Sequence, residues 1–95
     1  MPAYLIAEIE VHDTAAYEAY KKITPGAIAA YGGRFVVRGG PVDSKEGGWK
    51  PSRLVVVEFP SMEQARKFYD SPEYAPALAI RLKAAKSKLV LIEGA

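Results

Sequence analysis

From Ala3 to Val11 the chain reads AYLIAEIEV, dense in β-branched and long apolar residues, with Glu8 and Glu10 recurring at a period of two. That alternation predicts a strand with one buried face. His12 follows it, and then the period lengthens. Tyr17, Tyr20, Ala27, Ile28 and Tyr31 recur near helical spacing, behind Asp13 as a cap and ahead of Gly32 and Gly33 as a stop. Pro25 lies inside that helix, lacks an amide hydrogen and crowds the preceding turn, so a kink or restart is expected near Thr24, which could cap the second part. "RFVVR" (34–38) and "SRLVVVEF" (52–59) predict the second and third strands. In "PSMEQARKFYDS", Ser61 stands as N-cap with Gln64 three residues on, the spacing of a capping box, and Ala65, Phe68 and Tyr69 supply the buried side. Ser71 and Pro72 start a further segment in which Ala75, Leu78, Leu82 and Ala85 continue inward, and "KLVLIE" (88–93) is the last strand.

The order βαββαβ predicts a single ferredoxin-like α+β domain over residues 1–95, a four-stranded antiparallel sheet with its helices on one face. Continued alternation puts a wholly apolar set beneath the helices: Leu5, Ala7 and Ile9, then Phe35 and Val37, then Val55, Val57 and Phe59, then Val90 and Ile92. The other face is mixed. It carries Tyr4, Ile6, Val36, Leu54, Val56, Leu89 and Leu91 among Glu8, Glu10, Arg34, Arg38, Glu58 and Glu93. A lone subunit would leave that apolar surface in water, and a second copy's sheet is its simplest cover, so a homodimer through the sheet faces is expected. A one-residue bulge would exchange the faces beyond it.

Composition narrows the function classes. The chain has 95 residues, 49% hydrophobic and 25% charged, a globular balance that supports one modest core. Its 13 Lys and Arg against 11 Asp and Glu are interspersed, without the basic face that nucleic acid requires. No cysteine is present, which excludes disulfides, thiol catalysis and thiolate metal sites. The first residues lack a basic region followed by a long apolar run, and no stretch approaches 18 apolar residues, so a cytoplasmic location without membrane contact is expected. No metal is expected, since histidine occurs once and the carboxylates are dispersed.

The segment from Arg38 to Arg53 is longer than a tight hairpin turn and holds Gly39, Gly40, Gly47, Gly48, Pro41, Pro51 and the only tryptophan. Such a loop points to a binding or interface role. Its glycines form neither phosphate-binding fingerprint, and no cofactor is expected. Arg34, Arg38 and Glu58 fall on neighbouring strands of the mixed face. They form ion pairs in one reading; in the other, Arg38 helped by Arg53 holds a carboxylate or enolate while Glu58 or His12 exchanges a proton. Trp49 offers an apolar wall or an interface contact, and Tyr17 a pocket hydroxyl beside its packing role. The remaining tyrosines read as packing, and Arg81 is divided between solvent and a contact to Glu73 or Tyr74.

The ordered motifs "YGGRFVVRGG", "EGGW", "RLVVVEFPS" and "FYDSPEYAPA", followed by Arg81, resemble the small bacterial family called domain of unknown function 1330 from about Ala3 to Glu93. Gly32, Gly33, Arg38, Gly39, Gly40, Trp49, Arg53, Glu58, Phe59, Pro60, Ser71, Pro72 and Tyr74 match its recognisable positions. The resemblance implies a ferredoxin-like fold assembled as a dimeric α-β barrel, a wider group that includes cofactor-free monooxygenases and isomerases. Two functions are carried forward: a homodimer with a pocket for a small polar or carboxylated molecule, performing cofactor-free isomerase or monooxygenase-like chemistry, and a non-catalytic ligand-binding or structural dimer.

Overall fold

In the computed structural model, which describes residues 1–95, the elements run β1 (Ala3–Val11), α1 (Thr14–Ala30), β2 (Arg34–Arg38), β3 (Leu54–Phe59), α2 (Met62–Tyr69), α3 (Ala75–Ala84) and β4 (Ala85–Glu93). The four strands form one antiparallel sheet in the order β2-β3-β1-β4. The result is the expected ferredoxin-like α+β arrangement. Leu5, Ala7 and Ile9 of β1 and Val55, Val57 and Phe59 of β3 are buried beneath the helices, as their alternation requires. Phe68 links sheet to helices, 5.1 Å from the Phe59 ring and 4.4 Å from that of Tyr74.

The caps explain where two helices begin. Asp13 accepts a hydrogen bond from the Ala16 amide at 3.1 Å, and Ser61 accepts one from the Gln64 amide at 3.1 Å. The Gln64 side chain donates to the Tyr31 carbonyl rather than completing the reciprocal box. The expected break near Pro25 is absent, and α1 continues from Thr14 to Ala30. Thr24 does not cap a second helix. Its hydroxyl donates back to the Tyr20 carbonyl at 2.7 Å, one turn earlier in the same helix.

Three side-chain placements differ from simple alternation. In β2, Phe35 pairs with Val57 but Val37 pairs with Val56, so Val36 is a one-residue bulge. Beyond it the parity reverses: Val37 turns to the outer face, and Arg38, opposite Val55, turns to the helix side. In β4, pairing of Val11 with Ala85 and of Ala7 with Leu89 brings Leu89 and Leu91 inward, while Val90 and Ile92 lie outward and exposed. The run Leu89 to Ile92 is apolar at both parities, so alternation alone cannot choose its face. In α3 the buried stripe is Ala77, Arg81 and Ala84, whereas Leu82 is exposed. Tyr74 and Ser87 supply oxygens for the buried Arg81, which makes that rotation of an otherwise apolar helix tolerable.

Candidate functional site

The bulge decides what lies between α1 and the sheet. Arg53 shares the parity of Val55 and Val57, its carbonyl accepting from the Ile9 amide at 2.8 Å, and therefore points to the helix side. The reversal at Val36 gives Arg38 the same face. Together with Lys21 from α1, the two arginines stand on a cavity whose walls include Tyr17, Tyr20, Phe35, Tyr74 and the inner aliphatic residues of the sheet. The space that the centre of a water molecule can reach is about 30 Å³, enough for one or two waters. Its lining is mostly apolar, with three cationic side chains in it.

Gly39 lets the two arginine segments converge. Its φ of +71° belongs to the left-handed region, and a Cβ there would run into the Arg53 guanidinium. The Arg53 guanidinium carbon lies 5.8 Å from the centre of the Tyr17 ring, and that of Arg38 lies 4.2 Å from the centre of Phe35. These ring contacts accommodate the cations without neutralising them. Neither arginine has a carboxylate partner; the ion pairs are Lys21–Glu18, Arg34–Glu58, Lys45–Asp43 and Lys67–Glu63. The buried Arg53 Nε makes no hydrogen bond at all. A buried donor without an acceptor is costly, by about 1–3 kcal/mol and more when charged.

The structure brings Arg38, Arg53 and Tyr17 together and separates them from the other candidates. Glu58 lies on the outer face, accepting from Arg34 Nε at 2.8 Å, from Arg34 Nη2 at 2.6 Å and from the Tyr4 hydroxyl at 3.3 Å. Trp49 reaches that same face, where its indole N–H donates to Glu8 at 3.0 Å. His12 is exposed at the turn after β1, held by its amide to the Ala84 carbonyl. No carboxylate or imidazole lines the cavity. It offers donors to a ligand: three cations and the tyrosine hydroxyls.

Through Tyr20 and Tyr74 the cavity wall joins a polar cluster that helical spacing alone presents as packing. Tyr20 and Tyr74 share a hydrogen bond of 3.0 Å between their hydroxyls, and Arg81 Nε donates to the Tyr74 oxygen at 3.4 Å. Arg81 Nη1 also donates to the Ser87 hydroxyl. Burial pulls the guanidinium pKa down, but the surrounding Tyr74, Tyr20 and Tyr69 oxygens outweigh it and hold Arg81 above its ordinary value. Tyr74 and Arg81 are seven residues apart, two helical turns, so their common face is a signal present in the sequence.

A ferredoxin-like sheet with a cation-lined slot under its first helix describes an architecture rather than a reaction. Over residues 2–95 the sequence matches the family model described as Domain of unknown function (DUF1330), and the chain belongs to that family. No curated protein matches it. Among solved structures it is similar to a protein of unknown function from Rhodopseudomonas palustris, with 18% identity, 99% of this chain and 82% of that one covered, and a TM-score of 0.75. A dimeric ferredoxin-like protein of unknown function from Jannaschia sp. CCS1 has 14% identity, 99% and 100% coverage and a TM-score of 0.72. SnoaB, a cofactor-independent oxygenase from Streptomyces nogalater, has 17% identity, 99% and 93% coverage and a TM-score of 0.70. At these identities the likeness is one of fold.

Proposed function

We propose that the protein is a homodimer, joined through its outer sheet faces, in which each subunit's cavity binds a small carboxylated or enolic compound with an apolar body. The observation that carries the binding reading is Arg53 Nε, a charged group's buried donor with no acceptor, on a cavity that contains no acid. A carboxylate or enolate supplies the missing acceptor and opposes the charges of Arg38 and Arg53, which have no carboxylate partner in the chain. Its apolar part rests against Tyr17 and Phe35. In this reading Glu58 and Trp49, bonded to Arg34 and Glu8 on the outer face of the sheet, serve the contact between subunits. The dimeric neighbour from Jannaschia and the exposed apolar residues of the outer face favour pairing of two copies.

A cofactor-free isomerase or oxygenase is the second reading, supported by the same donor set and by the fold likeness to SnoaB. Either reaction at a carbon beside a carbonyl passes through an enolate, which guanidinium and hydroxyl donors stabilise. With no carboxylate or imidazole in the lining, the substrate for such chemistry would have to be acidic enough to enter as its anion.

Benzoate tests the binding reading, because it combines a carboxylate with a flat apolar body; it is larger than the one or two waters the closed slot holds, so the lining side chains part to admit it. Titration followed by the arginine Nε–H signals is expected to move that of Arg53. Arg53→Ala should weaken benzoate binding by about 10- to 100-fold, the range for a lost hydrogen bond to a charged group. Benzylamine, with the opposite charge on the same ring, should not compete. Equal affinity for benzoate in wild type and Arg53→Ala overturns the reading.

A further inference from the structure

We propose that Tyr20 is the cavity's neutral hydrogen-bond donor to the oxyanion of its ligand, with Tyr74 and Arg81 as the residues that position it. The proposal rests on the anion-binding reading and specifies where the ligand's oxygen goes and what the ligand must lack. It begins with a count of hydrogens. Tyr20 and Tyr74 have one hydroxyl proton each, and their mutual bond of 3.0 Å uses only one of them. Arg81 cannot accept either proton, since a guanidinium has donors alone. Neither hydroxyl has another partner in the chain except Arg81. One phenolic proton is therefore left over on a wall of the cavity.

The direction of the chain identifies which one. Arg81 Nε donates into the Tyr74 oxygen, and a hydroxyl that receives a bond from a cation becomes the stronger donor. Tyr74 thus gives its proton to Tyr20, and the Tyr20 proton remains. Tyr20 is also the more open of the two, at 9% exposure against 1% for Tyr74. Burial first, then the charge and hydrogen bond of Tyr74, hold the Tyr20 pKa above the ordinary phenol range, despite an opposing effect of Arg81. Tyr20 is consequently a phenol, never a phenolate, when a ligand meets it at neutral pH.

The cavity then presents Tyr20 together with Arg38, Arg53 and Lys21 in its wall, each of them able to donate. The ligand class follows by charge: a carboxylate or enolate without an ammonium group near it, because an ammonium would face Arg38 and Arg53, neither of which has a carboxylate partner, in a lining that holds no acid. Amino acids are disfavoured on this ground, and the corresponding carboxylic or 2-oxo acids are favoured.

Benzoate binding to Tyr20→Phe, Tyr74→Phe and the double variant provides the test, with wild-type protein carrying ¹³Cζ-labelled tyrosine as a measurement that needs no substitution. Tyr20→Phe keeps the ring and removes the donor, and should weaken benzoate about fivefold, the usual size of a neutral hydrogen bond. Tyr74→Phe should weaken it less, and the double variant should be no worse than Tyr20→Phe, because Tyr74 acts through Tyr20. In wild type the Tyr20 ¹³Cζ signal should shift as benzoate fills the site. Arg81→Lys, which retains a cationic donor to Tyr74, should preserve that shift. Unchanged affinity in Tyr20→Phe, losses that multiply in the double variant, or a Tyr20 signal that ignores benzoate overturns the donor assignment. If Arg53→Ala weakens benzoate while Tyr20→Phe does not, only this chain of hydrogen bonds falls. If Arg53→Ala also leaves benzoate unaffected, the cavity reading falls with it.

Discussion

Tyr20 connects the chemistry of one residue to the stability of the fold. Its hydroxyl lies against Tyr74 and near Arg81, and its pKa is raised above the value an exposed phenol has in the unfolded chain. A raised native pKa means that the folded form keeps a proton that the unfolded form gives up. Stability from this residue is therefore fully present below about pH 10, the unfolded phenol's pKa, and falls as pH rises beyond it. The slope from one such group is about 1.4 kcal/mol per pH unit until the folded pKa is reached. Urea unfolding between pH 9 and 11 should show wild type losing stability more steeply than Tyr20→Phe, which has no proton to hold. Parallel curves for the two proteins would show that Tyr20 titrates alike in both states. Arg53 presents the complementary case: its packing on Gly39 and Tyr17 fixes the guanidinium, while the Nε donor stays without an acceptor. Both residues combine tight packing with unspent hydrogen-bonding capacity, and both border the same slot.

At the scale of elements, a single bulged residue relocates a charge. If Val36 took an ordinary place in the ladder, alternation would put Arg38 with Arg34 and Glu58 on the outer face; as an extra residue it leaves Arg38 opposite Val55 on the helix side. Deleting Val36 removes the extra residue while keeping Val37 opposite Val56 and Arg38 opposite Val55, so the deletion should leave benzoate affinity within about twofold. Arg38→Ala, by contrast, should weaken it about tenfold, as loss of a charged hydrogen bond does. Retained affinity in Arg38→Ala would mean that Arg38 contributes nothing to the site, and a large loss on deleting Val36 would mean that the bulge itself shapes the cavity. The same bulge marks the boundary of what was legible in the sequence. β1 was legible because its two parities differ chemically, and so were the starts of α1 and α2 because Asp13 and Ser61 make the bonds their positions suggest. The inward turn of Arg53 follows from the alternation of β3 carried one residue earlier. β4 was not legible, since Leu89 to Ile92 is apolar on both faces and only pairing with β1 selects one. Neither was the bulge, because Phe35, Val36 and Val37 are interchangeable to a period-two pattern and the distinction lies in backbone hydrogen bonds. Arg81 entered the core for a related reason: α3 has too many apolar residues to define a stripe, and the oxygens that receive the guanidinium come from positions before and after the helix.

For the whole molecule, the decisive surface is the one the helices leave uncovered. The Cα framework measures 35 × 33 × 16 Å, a two-layer slab whose broad outer side consists of sheet. A face of those dimensions is ample for the roughly 800 Å² per partner of a standard protein interface. Val36, Val90 and Ile92 are each at least half exposed on it, while Trp49 is 60% exposed beside Glu8. Charges at the other end do not oppose association: Glu8 stands opposite Lys88 and Glu10 opposite Lys86 across the β1–β4 ladder, so that part is close to neutral in pairs. Two copies stacked sheet to sheet would bury the aliphatic strip and enclose Trp49. The cavities would remain on the far, helix-covered sides, so association and ligand binding are separable by substitution. Val90→Lys together with Ile92→Lys places two cations on the strip without touching the inner core, where Leu89 and Leu91 point. Each outward position is solvated in a single subunit, so the folded monomer should survive. Sedimentation should show dimers in wild type and single subunits in the double variant, with benzoate affinity changed by less than about twofold. A double variant that remains dimeric places the contact on another surface. Loss of benzoate binding with dissociation would instead make the pairing part of the site, coupling the outer face to the slot through the sheet between them.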